Sequence, residues 1–360
     1  MNGKKTRVAL VFGGRSAEHA ISCLTAGSVL NAIDPDEFEV VPIGITRAGQ
    51  WVLTTGERSQ LELQGRTLPE VTEAAGSPVM LPPDPTARGR LVLAATDAVS
   101  ALGEVDLVFP VLHGAYGEDG TIQGLLEMAG VPYVGSGVFA SAAAMDKEFS
   151  KQLAVAAGIP VGPYAVLRAG ASLPATERER LGLPVFVKPS RAGSSFGITK
   201  VTDWAQFDDA LAVAREVDSK VLVEAAVVGR EIECGVLAGE QGGEPEASQL
   251  AEVRPAAGHE FYDFEAKYLD DSLEMEIPAP LPERVTAQLQ RYATTIFTAL
   301  DCAGLARVDF FVTAELDVYF NELNTMPGFT PSSVFPRVWA ASGLPYPKLV
   351  ARLIRTALAR

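Results

Sequence analysis

Cysteine is scarce in this sequence: its 360 residues contain only three, Cys23, Cys234 and Cys302, and these lie far apart in apolar surroundings. That pattern is typical of reduced, buried thiols, and it excludes a disulfide framework or a cysteine-based zinc site. Long apolar runs are also missing, because Val8–Phe12 has the length of a strand and is too short for a signal peptide or a membrane span. We therefore predict a cytoplasmic protein with no membrane partner.

The sequence also lacks an excess of basic residues. Its 30 lysines and arginines stand against 45 acidic residues, and the net charge of −15 argues against a nucleic-acid partner. A local basic pocket for phosphates is still compatible with this charge. The length predicts two or three domains, and an apolar content of 48% allows a large core.

What the sequence does contain is a repeated order of strand, glycine loop and helix. Val8–Phe12 runs into GGRSAEH (13–19) and a helix for which Ser16 is the expected N-cap, and Asp106–Leu112 runs into HGAYGEDG (113–120) and another helix. This order is typical of a doubly wound α/β unit, whose ligands gather at the carboxyl ends of the strands. The fingerprint G-x-G-x-x-G is missing, so NAD binding is only weakly supported.

Two side chains in these loops are candidates for ligand binding. Glu18 could face the ammonium group of a ligand, or it could be only a partner of the helix dipole. His113 could be catalytic, or it could hold its loop in place. Residues 56–90 have few periodic features and are predicted to be an insertion, and residues 136–146 are predicted to be the linker into a second unit.

The middle of the chain carries a lysine inside a predicted strand. In LPVFVKP (183–189), Lys188 follows valines, where a lysine usually needs a partner. The glycine/serine loop 190–198 could fold over phosphates with its N–H groups, although it is not a P-loop and could be a flexible hairpin tip. Glu224 and Glu231 could accept hydrogen bonds from a nucleotide or be solvated residues at a sheet edge.

Near the C-terminal end, Ala306–Val312 and Asp317–Glu322 predict a β-hairpin. Oxygen ligands at adjacent strand ends suit Mg²⁺, and Asp309, Glu322 and Asn324 would supply them. The alternative is a surface hairpin with a salt bridge.

The same hairpin places Arg307 two residues before Asp309, so both side chains lie on one face. Pro327-Gly328 then predicts a turn whose glycine lets a backbone N–H approach a ligand closely. The irregular stretch EFYDFEAKY (260–268) could be a loop that closes over a site.

Taken together, these motifs resemble those of the D-alanine–D-alanine ligases of the ATP-grasp superfamily. Each is weak alone, but eight occur in the family's order over most of the chain. The motifs are GGRSAEH (13–19), HGAYGEDG (113–120), MDK (145–147), VKPSRAGSSFGITKV (187–201), VLVEA (221–225), FYDFEAKY (261–268), ARVDFF (306–311) and NELNTMPGFTPSS (321–333).

The resemblance implies an α/β (α+β) protein with the ATP-grasp fold. It would have an N-terminal Rossmann-like domain (1–140), a small central β/α domain (141–225) and a C-terminal mixed-sheet domain (226–360). Its implied activity is ATP-dependent joining of two D-alanines through an acylphosphate, for peptidoglycan precursor synthesis. A homodimer is usual for the family.

The resemblance also implies the residues that meet ATP and two Mg²⁺ ions, for which Mn²⁺ could substitute. The metal ligands would be Asp309, Glu322 and Asn324. The residues expected at the nucleotide are Lys147, Lys188, Ser194, Ser195, Glu224, Ala225, Val227, Glu231 and Lys267.

A second set is implied at the amino-acid substrates. Glu18 would bind the ammonium of the first D-alanine and be linked by hydrogen bonds to Ser194 and Tyr268, with His113 nearby. Arg307 and the Gly328 N–H would form the oxyanion site, and Ser333 would bind the carboxylate of the second D-alanine.

The choice of second substrate depends on the closing loop. D-Alanine–D-lactate ligases resemble this chain, but they lack the tyrosine that matches Tyr268, so the intact EAKY sequence favours an amine nucleophile. Two departures from the family pattern are Ala306, where glycine is common, and Phe196, where a smaller residue is common. The alternatives are a D-alanine–D-lactate or other ATP-grasp carboxylate–amine ligase and, more remotely, a nucleotide-binding protein without catalysis.

Overall fold

A computed structural model describes residues 4–57, 60–63, 65, 67–95, 98–194, 196–254 and 274–360. The described chain forms three β-sheets, of seven, four and five strands, each with helices packed against it. Within these residues, no helix has both the length and the apolar surface needed to cross a membrane.

The seven-stranded sheet is built around β1, which pairs in parallel with β2 on one side and β7 on the other. The apolar residues of β1 are buried, as expected for a central parallel strand. Strands β2 to β6 continue the sheet as antiparallel neighbours. The elements are β1 (Thr6–Gly13), α1 (His19–Ala32), β2 (Phe38–Ile45), β3 (Trp51–Thr54), β4 (Gly76–Met80), β5 (Arg90–Ala95), β6 (Ala98–Glu104), β7 (Leu107–Pro110) and α2 (Thr121–Ala129).

Two expectations for this part were wrong. Ser16 does not cap α1, which begins only at His19; its hydroxyl donates to the carbonyl of His113 at 2.6 Å and thereby ties the two glycine loops together. The segment 56–90 is not only an insertion, since it contains β4 and reaches the start of β5, and both strands extend the sheet.

The four-stranded sheet is antiparallel and has the order β10-β9-β11-β8. Residues 136–146, predicted as a linker, are instead mostly the helix α3. Asp146 then caps α4 by accepting the Glu148 N–H at 3.2 Å, as a short acidic side chain does at a helix start. The elements are α3 (Val138–Met145), α4 (Lys147–Ala156), β8 (Tyr164–Leu167), α5 (Ala175–Leu181), β9 (Val185–Pro189), β10 (Thr199–Val201), α6 (Phe207–Val217) and β11 (Val221–Ala225).

The five-stranded sheet has the order β14-β13-β12-β15-β16. Its ladders are antiparallel, and an isolated parallel bridge between Val161 and Phe320 attaches the chain after α4 to the edge strand β16. Strand β13 was not expected, because polar residues precede it. The elements are β12 (Arg230–Leu237), β13 (Glu246–Arg254), β14 (Glu274–Glu276), α7 (Glu283–Ala299), β15 (Leu305–Val312), β16 (Val318–Asn324), α8 (Val334–Ala341) and α9 (Tyr346–Leu358).

The N-terminal and C-terminal sheets share one apolar core. The ring of Phe109, at the end of β7, lies edge-on to Phe329, with 6.2 Å between the ring centroids, and Phe329 also contacts Phe335 and Tyr346. Leu353 of α9 belongs to the same buried cluster. This packing fixes the segment after β16 beside the glycine loops that follow β1 and β7.

Candidate active site

The hairpin of β15 and β16 carries a charged cluster on one face. Arg307 pairs in register with Asn324, and Asp309 pairs with Glu322. The Arg307 guanidinium donates to both oxygens of Asp309, from Nε at 2.8 Å and from Nη2 at 2.7 Å, and Asn324 Nδ2 donates to Asp309 Oδ2 at 3.1 Å. The prediction that Arg307 and Asp309 share a face is therefore confirmed.

Arg307 is also held from the neighbouring strand β12. Its Nε lies 2.9 Å from Glu233 Oε2; the Glu233 side chain is buried, and that of Arg307 is half-buried at the cleft. Burial alone would lower the pKa of Arg307, but the adjacent Asp309 and Glu233 carboxylates raise it well above its ordinary value. The guanidinium is thus a fixed, permanently charged group at the floor of the site.

The donor set of the hairpin suits a hard cation. Asp309 and Glu322 oppose each other across the ladder, and Asn324 follows on the same face. Among the described residues there is no cluster of three or more acidic, histidine or cysteine side chains that would enclose a metal by itself. Two carboxylates and an amide fit Mg²⁺, which keeps several waters and binds substrate phosphates in addition to a few protein oxygens.

Three lysines approach this hairpin and β11 from the side of the four-stranded sheet. Lys147 Nζ lies 3.4 Å from Glu322 Oε2 and donates to the carbonyl of Ala192 at 2.6 Å. Lys188 Nζ lies 2.7 Å from Glu224 Oε2. The third is Lys151, whose Nζ lies 3.4 Å from Glu224 Oε1.

The glycine/serine loop reaches across to the first glycine loop. Ser194 has φ +50°, in the left-handed region, and its hydroxyl donates to Glu18 Oε1 at 2.5 Å. Gly193 packs beside the same carboxylate, since a Cβ at that position would lie 3.4 Å from Glu18 Oε2. Ser195, Lys267 and Tyr268 lie outside the described residues.

His113 is buried between the first unit and the segment after β16. Its Nδ1–H donates to the Met326 carbonyl at 3.1 Å, and its Nε2 accepts from the Thr25 hydroxyl at 3.2 Å. Burial lowers the pKa of His113, which agrees with a neutral ring in this pattern of one donor and one acceptor.

A cleft of about 650 Å³ joins these parts. The residues expected at the amino-acid substrates, apart from Tyr268, all line it, together with two of the expected metal ligands. They are Glu18, His113, Ser194, Arg307, Glu322, Asn324, Gly328 and Ser333.

The remaining predicted nucleotide residues lie at the ends of two strands next to this cleft. Glu224 and Ala225 end β11, Val227 follows them, and Glu231 is the second residue of β12. Ala225, Val227 and Glu231 are all half-buried, and none of the three lines the 650 Å³ cleft.

Comparisons with known proteins agree with this arrangement. A family model described as D-ala D-ala ligase N-terminus matches residues 7–136, and one described as D-ala D-ala ligase C-terminus matches residues 153–355. The chain belongs to the D-alanine–D-alanine ligase family. The family and the ATP-grasp fold predicted from the sequence are thereby confirmed.

Individual members of the family match the chain along its whole length. It is 57% identical to the D-alanine–D-alanine ligase of Mycolicibacterium paratuberculosis, with 99% of this chain and 98% of the relative covered. Among solved structures, the D-alanine–D-alanine ligase from Coxiella burnetii matches with a TM-score of 0.82 and 33% identity over 99% of this chain and 94% of that one. The VanG D-Ala:D-Ser ligase from Enterococcus faecalis matches with a TM-score of 0.80 and 34% identity over 98% and 100%.

Two residues of this family member were missed by sequence reasoning. Glu118, considered above only as part of its loop, accepts the Gly114 N–H at 2.7 Å and the Met326 N–H at 3.2 Å, and burial raises its pKa to about 8. Lys151 lies four residues after Lys147, a spacing that places both on one helix face and could have identified it. No local pattern could have identified the contact between Glu118 and Met326.

Proposed function

We propose that this chain joins two D-alanines to D-alanyl-D-alanine with ATP, as a step of peptidoglycan precursor synthesis. The observation that carries the proposal is the single cleft in which the Glu18–Ser194 pair faces the Arg307–Asp309 hairpin and the turn with Gly328 and Ser333. Two amino-acid substrates require three kinds of group. Glu18 offers a carboxylate for an ammonium, Arg307 a cation for the developing oxyanion, and Ser333 a hydroxyl for a carboxylate.

The first D-alanine binds with its ammonium on Glu18, whose carboxylate is oriented by the Ser194 hydroxyl. His113 borders the same part of the cleft. Tyr268 completes this set by the family resemblance. The substrate carboxylate then points toward the hairpin, where the phosphate groups of ATP are held.

Phosphoryl transfer requires two anions to meet. An oxygen of the D-alanine carboxylate attacks the γ-phosphorus, and ADP leaves with the electron pair of the broken P–O bond. Lys147, Lys188 and Lys267 offset the repulsion between these groups. Asp309, Glu322 and Asn324 would hold Mg²⁺, which would add charge neutralisation at the phosphates; we propose two ions, with Mn²⁺ as a substitute.

The acylphosphate reacts with the second D-alanine. Its amine attacks the acyl carbon, phosphate leaves with the electrons of the C–O bond, and the nitrogen loses a proton. Arg307 and the Gly328 N–H stabilise the oxyanion of the tetrahedral intermediate, and Ser333, which directly precedes α8, holds the incoming carboxylate. The acylphosphate must be shielded from water, and the family resemblance assigns this role to the segment with Lys267 and Tyr268, which lies outside the described residues.

The nucleotide base and ribose are assigned to the space between β11 and β12. Glu224, Ala225, Val227 and Glu231 are the residues proposed there, and the loop with Ser194 and Ser195 covers the phosphates. A glutamate at each strand end suits an exocyclic amine and a pair of ribose hydroxyls.

The organisation around this site is part of the proposal. We propose three domains, 1–140, 141–225 and 226–360; residue 140 lies inside α3, so the first boundary divides that helix. We also propose a homodimer in the cytoplasm.

The experiment that tests this function is ATP-dependent phosphate release with D-alanine, repeated with D-serine and with D-lactate as second substrates. D-Serine is included because the VanG D-Ala:D-Ser ligase is a close structural match. We expect phosphate release with D-alanine alone and a product with the mass of the dipeptide. Faster release when D-lactate or D-serine is added, with a mixed product, would assign the chain to another substrate.

A further inference from the structure

Lys151 connects the two sheets that border the proposed nucleotide site. Its side chain is only 3% exposed, and its Nζ donates to the backbone carbonyl of Asn321 on β16 at 3.0 Å. The same nitrogen lies 3.4 Å from Glu224 Oε1 on β11. One ammonium group therefore contacts the strand with the predicted metal ligands and the strand with the predicted adenine-binding glutamate.

Glu224 is shared between two lysines. Lys188 lies 2.7 Å from Oε2, and Lys151 lies 3.4 Å from Oε1. Burial opposes the ionisation of Glu224, but the charges of Lys151 and Lys188 outweigh it and lower the pKa of the carboxyl group. Lys147, which lies beside Glu322, is the third lysine of this group, and several ammonium groups in one place suit a polyphosphate.

The two lysines differ in their freedom to leave Glu224. Lys188 stands near the end of β9, directly before the glycine/serine loop, and its side chain pairs with Glu224. Lys151 is fixed by the Asn321 carbonyl and lies over the ring of Phe320, with 6.0 Å between Nζ and the ring centroid. If Lys188 turned to the phosphates, Glu224 would keep only Lys151 of this pair.

We propose that Lys151 is a positioning residue for the nucleotide: it holds the Glu224 carboxylate in place, tied to β16, when Lys188 moves from Glu224 to the phosphates of ATP. The inference rests on the proposed function, because it assumes that ATP binds between these sheets. Lys151 itself touches neither the nucleotide nor the reacting atoms.

The test is a double-mutant cycle on nucleotide affinity. Lys151→Met, Glu224→Gln and the double variant are titrated by calorimetry with a non-hydrolysable ATP analogue and Mg²⁺, without D-alanine. We expect K151M to weaken nucleotide binding by about tenfold in the wild-type chain. In the E224Q chain the same substitution should weaken binding by less than about twofold, because the effects of two residues that act through each other do not add. The proposal would be overturned if the double variant lost affinity by the product of the two single losses, or if K151M bound the nucleotide as tightly as the wild-type chain.

Two further variants separate positioning from stability. Lys151→Arg keeps the charge and should restore affinity to within about threefold of wild type, whereas Lys348→Met removes an exposed lysine of α9 and should change nothing. If K151M does not fold because it leaves a buried charge with one partner fewer, the double variant is compared with E224Q alone. Equal nucleotide affinities of the double variant and E224Q support the proposal, and weaker binding by the double variant than by E224Q overturns it.

The same measurements distinguish this inference from the function on which it rests. Normal nucleotide binding by the wild-type chain without turnover of D-alanine would refute the proposed function only. In the active enzyme, K151M should raise KM for ATP and leave KM for D-alanine within about twofold of the wild-type value. A residue that acts only on nucleotide affinity affects the ground state and the transition state equally, so its loss raises KM for that substrate alone.

Discussion

The Ser194 hydroxyl donates to the Glu18 carboxylate at 2.5 Å, although 176 residues separate the two in the sequence. Glu18 directly precedes α1 in the seven-stranded unit, and Ser194 lies in the loop between β9 and β10 of the four-stranded sheet. This hydrogen bond therefore orients the carboxylate proposed for the first substrate and also fixes the loop proposed to cover the phosphates.

Ser194→Ala should weaken the use of D-alanine more than the binding of nucleotide. The lost bond is to an ionised group, and such bonds contribute about 1.5–3 kcal/mol, so kcat/KM for D-alanine should fall by about 10- to 100-fold. Steady-state kinetics with varied D-alanine, beside calorimetric titration with an ATP analogue, make the comparison. Equal losses for both ligands would show that the hydroxyl stabilises the loop without orienting Glu18.

Arg307→Lys should lower kcat by about 10²- to 10³-fold, the usual effect of removing one oxyanion donor. Lysine keeps the charge beside Asp309 and Glu233, so the buried carboxylates retain a partner, whereas alanine would also destabilise the fold. Single-turnover rates and nucleotide affinity are measured for the same preparation. Near-normal turnover in this variant would remove Arg307 from the oxyanion role.

Asp309→Asn should raise the Mg²⁺ concentration required for half-maximal activity by at least about tenfold, because a neutral amide replaces a charged hard ligand. Asp317→Asn is the matched control, since Asp317 is exposed at the turn of the same hairpin. Mg²⁺ titrations of activity and of nucleotide binding report the shift. The same shift in both variants would indicate a general charge effect in place of metal binding.

Glu118 should make the stability of the protein depend on pH. Burial raises its pKa from 4.5 to about 8, so between these values the unfolded chain has released a proton that the folded chain still holds. The free energy of unfolding, taken relative to Glu118→Gln, should therefore fall as pH rises from 5 to 8, with a slope of at most about 1.4 kcal/mol per pH unit. Urea unfolding at several pH values measures this difference. A constant difference across the range would show that Glu118 is ionised in the folded state.

Much of the fold was predictable because local patterns encode it. The glycine loops after β1 and β7, the helices that follow them and the hairpin of β15 and β16 appear where the sequence placed them. The two-residue spacing of Arg307 and Asp309 put both on one face, as strand geometry requires. Helix α3 was missed although its alanine-rich sequence favours a helix, and strand β13 was missed because polar residues precede it.

The sequence by itself determined the family, through motifs that keep the same order and spacing, and it determined which residue types are available for binding ATP, metal and amino acids. Only the tertiary structure decided which of them meet. Glu18 with Ser194, Lys151 with Glu224, and Glu118 with the Met326 N–H are pairs from distant segments. Their contacts depend on how three sheets pack around a shared core, and no local periodicity carries that information.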